Sequence, residues 1–588
     1  MREFALLSSL DSLPERHPLL RAKRRAGRIK RFIRRKWWER NIGREYRAWL
    51  DDSKERELGS IDNPVSISVI VPVFNPPRRF LEECLVSVVN QTATNWQLIV
   101  SDDGSTDLSI RAYLDEFTKI HASDERVLVI RGDNQGIAAA LNRALEHVRH
   151  GYFGWLDHDD CLNPRSIELV SEAINSTSDR PLVVYSDEDK IDTKQGHFEL
   201  YCKPDFSPEL LLTQMYLCHF TVFDTSAVRD VMGFRSDMDG AQDFDLALRL
   251  LPRLSSRNVI HIPRPLYHWR AWSESTASSI EAKPWAQEAA ARAQQEYLDQ
   301  TVGGEVTKSR VPGLNEVHPR ITGAPLVSVI IPTIGSINPN TKRRFVDDAV
   351  AILRQHETKT RLEFVVVTTG RLDVVDGADD QVVYEPMTGF NFAEAINIGR
   401  QHAQGDYLLL LNDDVSAQEQ DPVSRMLELG QLPGVGAVGP KLSYPDGRLQ
   451  HAGIVILPSG PTHAHIAKPA NYPGYFGSTL TPRNFSAVTA ATMLTPTSAF
   501  DAVDGFDTTF ARDFNDVDYC LRLGEAGYRV AWTPYAHLIH HEGASIVRKA
   551  ADPAEVREFS SRWGTRYGVD PFYSAALNPN LERIYEAL

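Results

Sequence analysis

The feature that most constrains this chain is that its pattern is written twice. Ser68-Val-Ile-Val-Pro72-Val-Phe-Asn75 and Ser328-Val-Ile-Ile-Pro332-Thr333 are apolar, β-branched runs that end at a proline. That is the signature of a buried strand running into a loop. A second apolar run follows in each half, Leu98-Ile-Val100 and Phe364-Val-Val-Val367, after stretches with helical patterning from Phe80 to Asn90 and from Val346 to Gln355. The order strand, helix, strand predicts a largely parallel sheet in each half. Further on, Asn134-Gln-Gly-Ile-Ala138-Ala-Ala140-Leu-Asn142 matches Gly389-Phe-Asn-Phe-Ala393-Glu-Ala395-Ile-Asn397, and Phe153-Gly-Trp-Leu-Asp157-His-Asp159-Asp160 matches Leu408-Leu-Leu-Leu-Asn412-Asp-Asp414. Gly240-Ala-Gln-Asp243-Phe-Asp245 then matches Asp513-Phe-Asn-Asp516-Val-Asp518, each running into Leu-Arg-Leu. Shared side chains at nearly constant offset predict one α/β fold in tandem.

A length of 588 residues exceeds what one core supports, which fits two domains. The boundary is expected after the Ala- and Gln-rich helix Pro284 to Tyr297, in a turn-rich stretch. This divides the chain into a basic arm (residues 1–63), a first domain (64–310) and a second (311–588). A net charge of −14 argues against general nucleic-acid binding, which needs clustered positive charge. Five scattered cysteines form no disulfide framework. Met1 to Leu20 lacks the apolar core of a signal peptide, and no stretch approaches roughly 18 uncharged apolar residues. The expectation is a cytoplasmic protein. Within residues 21–40 a dense basic run carries Ile29, Phe32, Ile33, Trp37 and Trp38 at helical spacing. It is expected either to lie on the inner face of the cytoplasmic membrane through anionic lipid, or to be a solvated or packed arm.

The chemistry concentrates where strands end. Asp157 and Asp159, with Asp160 beside them, offer hard oxygen ligands to Mg²⁺ or Mn²⁺, and a metal diphosphate is their natural guest. In the second half Asn412 replaces the first carboxylate, leaving Asp413 and Asp414. Asp243 with Asp245, and Asp516 with Asp518, open helical patterns; helix capping accounts for one carboxylate of each pair. Asp243 and Asp516 are assigned as the bases that take a proton from an acceptor hydroxyl. Histidines follow at similar distance, His268 and His540, as candidate metal ligands, and Arg270 is a candidate to neutralise a leaving diphosphate.

In order, Val69 to Asn75, Val100-Ser-Asp102-Asp103-Gly-Ser-Thr-Asp107, Asn134-Gln-Gly-Ile-Ala, Asp157-His-Asp159-Asp160 and Asp243 resemble the inverting family 2 glycosyltransferases, whose catalytic domain has the GT-A fold. The resemblance implies a uracil or thymine base near Asp102, hence a UDP- or dTDP-sugar donor. It also implies a metal diphosphate at Asp159 and base catalysis by Asp243. Pro72, Asn75, Asp103, Asn134 and Asp157 are expected to line the same nucleotide site, with Pro332, Asn397 and Asn412 in the second half. Tyr444-Pro-Asp-Gly-Arg-Leu-Gln-His451-Ala-Gly453, Val503-Asp-Gly-Phe-Asp507 and the tail from Asp570 resemble the rhamnosyltransferase-type branch of surface-polysaccharide enzymes. The second half departs at Thr368-Thr369, where the first has Asp102-Asp103. No Q-x-x-R-W segment of the processive synthases is present. The expectation is two inverting transferases acting on a lipid-linked O-antigen or capsule glycan. The alternative is a second half that only binds glycan or partner.

Overall fold

The computed structural model describes residues 64–193, 196–272, 284–368, 381–384, 390–542, 551–580 and 584–585. The basic arm, with the membrane contact expected of residues 21–40, lies outside the described residues, as do Thr369 and Gly389.

In the first half, strands β1 (Ile67–Val73), β2 (Trp96–Asp102), β3 (Val127–Arg131), β4 (Tyr152–Trp155), β5 (Cys161–Leu162), β6 (Val183–Ile191), β7 (His197–Tyr201), β8 (Thr221–Asp224) and β9 (Val259–Arg270) form one sheet. Its order is β3-β2-β1-β4-β8-β6-β9-β5, with β7 hydrogen-bonded to β6. A two-stranded hairpin follows, β10 (Gly304–Lys308) with β11 (Asn315–Pro319). The second half supplies β12 (Leu326–Thr333), β13 (Arg361–Thr368), β14 (Gln381–Tyr384), β15 (Tyr407–Leu411), β16 (Val415–Ala417), β17 (Val435–Ser443) and β18 (Leu449–His451). It continues with β19 (Ile454–Leu457), β20 (Gly460–His463), β21 (Arg483–Asn484), β22 (Thr492–Pro496) and β23 (Arg529–His540). Its main sheet runs β14-β13-β12-β15-β22-β17-β23-β16. Strand for strand this is the first order repeated, so the tandem α/β expectation holds. The pairs of β1 with β2 and β4, β2 with β3 and β6 with β9 are parallel, whereas β8 is antiparallel to both its neighbours.

The continuous apolar runs are explained by burial on both faces. Successive residues of a strand point to opposite sides. Ile70, Ile99, Phe153 and Tyr185 accordingly enter one core of the first half, and Val69, Val71, Leu98, Val100 and Val184 the other. In the second half Ile330, Val365, Val367, Leu408 and Leu410 face one way, and Val329, Ile331, Phe364, Val366 and Leu409 the other.

The halves are welded together. Leu200 and Cys202 of the first half belong to the core of the second. The Tyr475 hydroxyl donates to the Leu200 carbonyl (2.7 Å) and accepts from the Cys202 amide (2.9 Å). Buried Glu209 pairs with Arg529 at 2.7 Å, and Ser207 donates to the Asn484 side chain at 2.7 Å. Residue 311, the expected boundary, falls in the turn of the β10–β11 hairpin. That hairpin grips both sides: Asn315 donates to Gln294 (2.8 Å) and His318 meets Glu428 (2.9 Å).

His261 on β9 lies between Asp187 (2.9 Å) and Asp205 (2.8 Å). Burial pushes its imidazole pKa down, but the two carboxylates outweigh burial and hold it up at about 9. A histidine raised above its unfolded value of about 6.5 contributes stability that is complete below that value. The contribution disappears as pH rises through about 9. The urea midpoint of the full chain is therefore expected to fall between pH 7 and 10, and to fall less in His261→Gln, as measured by circular dichroism.

Candidate functional site

In the first half the ends of β1 and β2 build a rigid cradle. Asn75, at a left-handed φ of 45°, accepts from the amides of Thr106 (2.8 Å) and Asp107 (2.9 Å). Its carboxamide oxygen thus shapes the loop after β2. Asp102 is buried and accepts from the Ser105 amide (3.0 Å), so it too fixes that turn. Asp103 accepts from the Gly136 amide (2.9 Å) and pairs with Arg143 (3.3 Å), drawing in the loop that carries exposed Asn134. Gly104 has φ 72°, and a Cβ there would sit 2.8 Å from the Asn134 amide nitrogen; only glycine lets these loops meet. Pro72 contributes its carbonyl, 3.1 Å from His158 Nδ1.

The acidic loop after β4 is braced from β9. Asp160 is buried; it accepts from the Tyr267 hydroxyl (2.5 Å) and the Arg270 amide (2.7 Å). Burial, then the charges of Asp159 and Asp157, push its carboxyl well above the usual range. Asp157 and Asp159 stay partly accessible. Asp159 accepts from the Trp272 indole (2.8 Å), and Asp157 lies 3.9 Å from His219 Nε2. Behind His219, buried Lys203 pairs with Glu188 (3.1 Å), whose carboxylate also accepts from the His219 amide (3.1 Å). Burial works against the His219 cation, but Glu188 outweighs it and lifts the pKa to about 9.

Two expectations need correction here. Arg270 is fully buried, paired with Glu83 (2.8 Å) and donating to the Asp159 carbonyl (2.6 Å), so it holds the loop and does not reach a leaving diphosphate. His268 does not join Asp159. On β9 it alternates with Tyr267 and so points to the opposite face, where its Nδ1 lies 2.6 Å from Asp189. The register explains why His540 differs. Cys161 pairs with His268, whereas Val415, the counterpart of Asp160, pairs with His540. The equivalent of His540 in the first half is therefore Trp269, and a one-residue offset flips the side chain.

In the second half His540 does meet the acidic loop: Nε2 lies 3.1 Å from Asp414 and 3.4 Å from the Asn412 amide. Its ring is oriented from behind. Gln450 donates through Nε2 to Glu542 (2.9 Å), which directs its Oε1 at His540 Nδ1 (2.8 Å). Nδ1 therefore donates to this oxygen, and Nε2 is left turned toward the Asp414 carboxylate. Imidazole, carboxylate and amide gathered at these distances are a donor set that fits a divalent ion. Asp413 is held by the Thr333 hydroxyl (2.6 Å), just past Pro332, and buried Thr368 ends β13 where Asp102 ends β2.

Asn397, expected in the nucleotide site, holds the backbone at Phe506. It accepts from the Phe506 amide (2.9 Å) and donates to the Phe506 carbonyl (2.7 Å), and Asn142 clamps Phe234 with the same pair of distances. The matched asparagines are braces.

Asp243 and Asp516 lie in the first turns of helices Gln242–Leu250 and Asn515–Glu525. Burial raises the pKa of both. Asp243 lies within the electrostatic reach of His219 and Asp157, and Asp516 accepts from the Ala490 amide (3.2 Å). The segments 218–222 and 489–493 therefore abut these carboxylates. Asp245 and Asp518 are consumed structurally, by Arg249 (2.7 Å) and by Arg522 and Arg562 (2.8 and 2.9 Å). Sequence patterning assigns no role to Glu188, Tyr267 or Gln450. Gln450 falls within the Tyr444 to Gly453 motif, but nothing in its spacing ties it to His540.

Repeated sheet order, acidic loop and helix-opening carboxylate define two GT-A domains in tandem. Residues 68–231 match the family model described as Glycosyl transferase family 2, and the chain carries a domain of that family. It is 38% identical over 541 residues to the uncharacterized protein y4gI of Sinorhizobium fredii, an alignment covering 89% of this chain and 58% of that protein. It is 33% identical over 567 residues to the O-antigen biosynthesis protein RfbC of Myxococcus xanthus, covering 91% of this chain and 42% of that one. The chain thus spans about half the length of these relatives. Among solved structures, S. aureus TarS 1-349 in complex with UDP-GlcNAc aligns at 16% identity and a TM-score of 0.32, covering 40% of this chain and 66% of that one. No described helix is long and apolar enough to cross a membrane.

Asn397→Ala removes both partners of Phe506 and is expected to lower stability by about 1–3 kcal/mol. Nucleotide affinity should stay unchanged, which urea unfolding and calorimetric titration with UDP check together.

Proposed function

We propose that the chain is a glycosyltransferase of surface-polysaccharide biosynthesis in which both halves transfer a sugar from a nucleoside diphosphate donor to a growing glycan. The observation that carries this reading is the duplicated constellation. In each half a strand end delivers carboxylates to the sheet's carboxyl edge, and a helix-opening acidic residue follows whose pKa burial has raised.

Asp243 and Asp516 act as bases. Each takes the proton of an acceptor hydroxyl as that oxygen attacks the anomeric carbon, and the nucleoside diphosphate leaves from the opposite face with inversion. Asp159 in the first half, and Asp414 with His540 in the second, would hold Mn²⁺ or Mg²⁺. When bound, such an ion neutralises charge developing on the departing diphosphate. His219, kept cationic by Glu188, adds positive charge beside Asp157 and Asp243. The imidazole at His540 favours Mn²⁺ for the second half, and the carboxylate-lined first half accepts either ion. The acceptor is assigned as a lipid-linked oligosaccharide, elongated by two linkages in turn.

Asp243→Asn and Asp516→Asn are each expected to lower one linkage by about 10²–10⁴-fold and to leave the other intact, read by mass spectrometry of products from a panel of UDP- and dTDP-sugars. If Asp516→Asn changes no linkage, the second half is a binding module. Because burial raises both carboxyls, the acid limb of kcat/KM should lie above the ordinary carboxylate value of about 4. Gln450→Leu should weaken Mn²⁺ binding to the second half by about 10–100-fold with an unchanged circular dichroism spectrum, as titration calorimetry on the Asp159→Asn background measures.

A further inference from the structure

The histidine that the register turns away from the acidic loop has a different set of partners. On β6, Asp189 is fully buried and is the direct register neighbour of His268 on β9. On the other side of β6, β7 brings His197 to the same carboxylate. His268 Nδ1 lies 2.6 Å from Asp189 Oδ1, and His197 Nδ1 lies 2.8 Å from Asp189 Oδ2. One donor atom from each of the three residues lies within 4.8 Å of the others. The two imidazole rings stand nearly perpendicular, at 81° with centroids 4.7 Å apart. The cluster opens on a groove of about 350 Å³ that His197 and His268 line with Cys161 and Asn163 and with Glu83, Val86 and Ser87 of helix Arg78–Val89.

We propose that Asp189, His197 and His268 form a further metal site, distinct from the two sugar-donor sites, that takes Zn²⁺ or a similar borderline ion. Two imidazoles and one carboxylate are the ligand set of open zinc sites, and the groove leaves room for a fourth ligand from water or a small molecule. The contrast with the acidic loops decides the ion. Asp157 and Asp159 present only hard oxygen, which suits Mg²⁺ or Mn²⁺, whereas two nitrogen donors select against Mg²⁺. The ion joins three adjacent strands, β7, β6 and β9. It thereby ties the strand carrying His197 to the two that hold Glu188, which anchors His219, and Tyr267, which braces Asp160 of the acidic loop.

The test uses the full chain, stripped with a chelator and titrated with Zn²⁺ and Co²⁺, with metal content read by mass spectrometry. A triple variant, Asp159→Asn with Asp414→Asn and His540→Ala, silences both donor sites. It is expected to retain one tightly bound zinc per chain, a zinc-dependent rise in melting temperature, and the intense visible bands of four- or five-coordinate Co²⁺. Adding His197→Ala should abolish all three. His197 lies in the β6–β7 hairpin with its side chain 27% exposed, so the fold should survive; circular dichroism checks this. Absence of zinc and of the cobalt bands from the triple variant overturns the proposal without recourse to His197→Ala and leaves the histidines as neutralising partners of Asp189. Equal zinc stoichiometry with and without His197 also overturns it. Glycosyl transfer enters neither readout, so failure here leaves the proposed activity standing.

Discussion

Burial of the central strands on both faces is the constraint from which the rest follows. A strand such as β1 or β12, with no exposed side, cannot carry a functional group along its length; polar chemistry can appear only where the chain leaves the sheet. The cradle around Asn75, the acidic loops after β4 and β15, and the strand ends at Asp102 and Thr368 all occupy that edge. Asp243 and Asp516, set in helix first turns beside that edge, are themselves desolvated, which raises their pKa values.

Around that edge, few polar side chains near the loops remain uncommitted. Asp102, Asp103 and Asn75 spend hydrogen bonds on loop shape, Asp160 on Tyr267, and Asp245 and Asp518 on arginines. What this leaves partly accessible is small: Asp157, Asp159, Asp243 and His219 in the first half, and Asn412 and Asp516 in the second, where Asp414 and His540 are buried against each other. The loops are held in advance, so binding a charged donor need not order them.

The repeat makes the fold legible in the amino-acid sequence itself. Apolar runs of the right length, helical patterning between them and the acidic strand ends map onto two sheets of one order. The site is legible to the level of the loop and not of the side-chain direction. Asn142 and Asn397 match in sequence because both clamp a backbone, and a shared structural duty leaves the same trace in a repeat as a shared catalytic one. His268 and His540 look equivalent by distance along the chain, yet a single-residue offset against β5 and β16 sends them to opposite faces. Glu188 and Gln450 act through partners 31 and 90 residues away, a relation that no local pattern encodes.

The placement of Leu200 and Cys202 inside the neighbouring core bears on how such a chain can descend. A duplication normally leaves two parts that recombination can trade independently. Here loss of the first half would take two side chains out of the second's interior and strand Tyr475 and Arg529, and loss of the second would uncover Leu200 and Cys202 and strand Glu209. The two halves are separable only at the cost of those contacts, and the difference between Asp102 and Thr368 sits inside that shared frame.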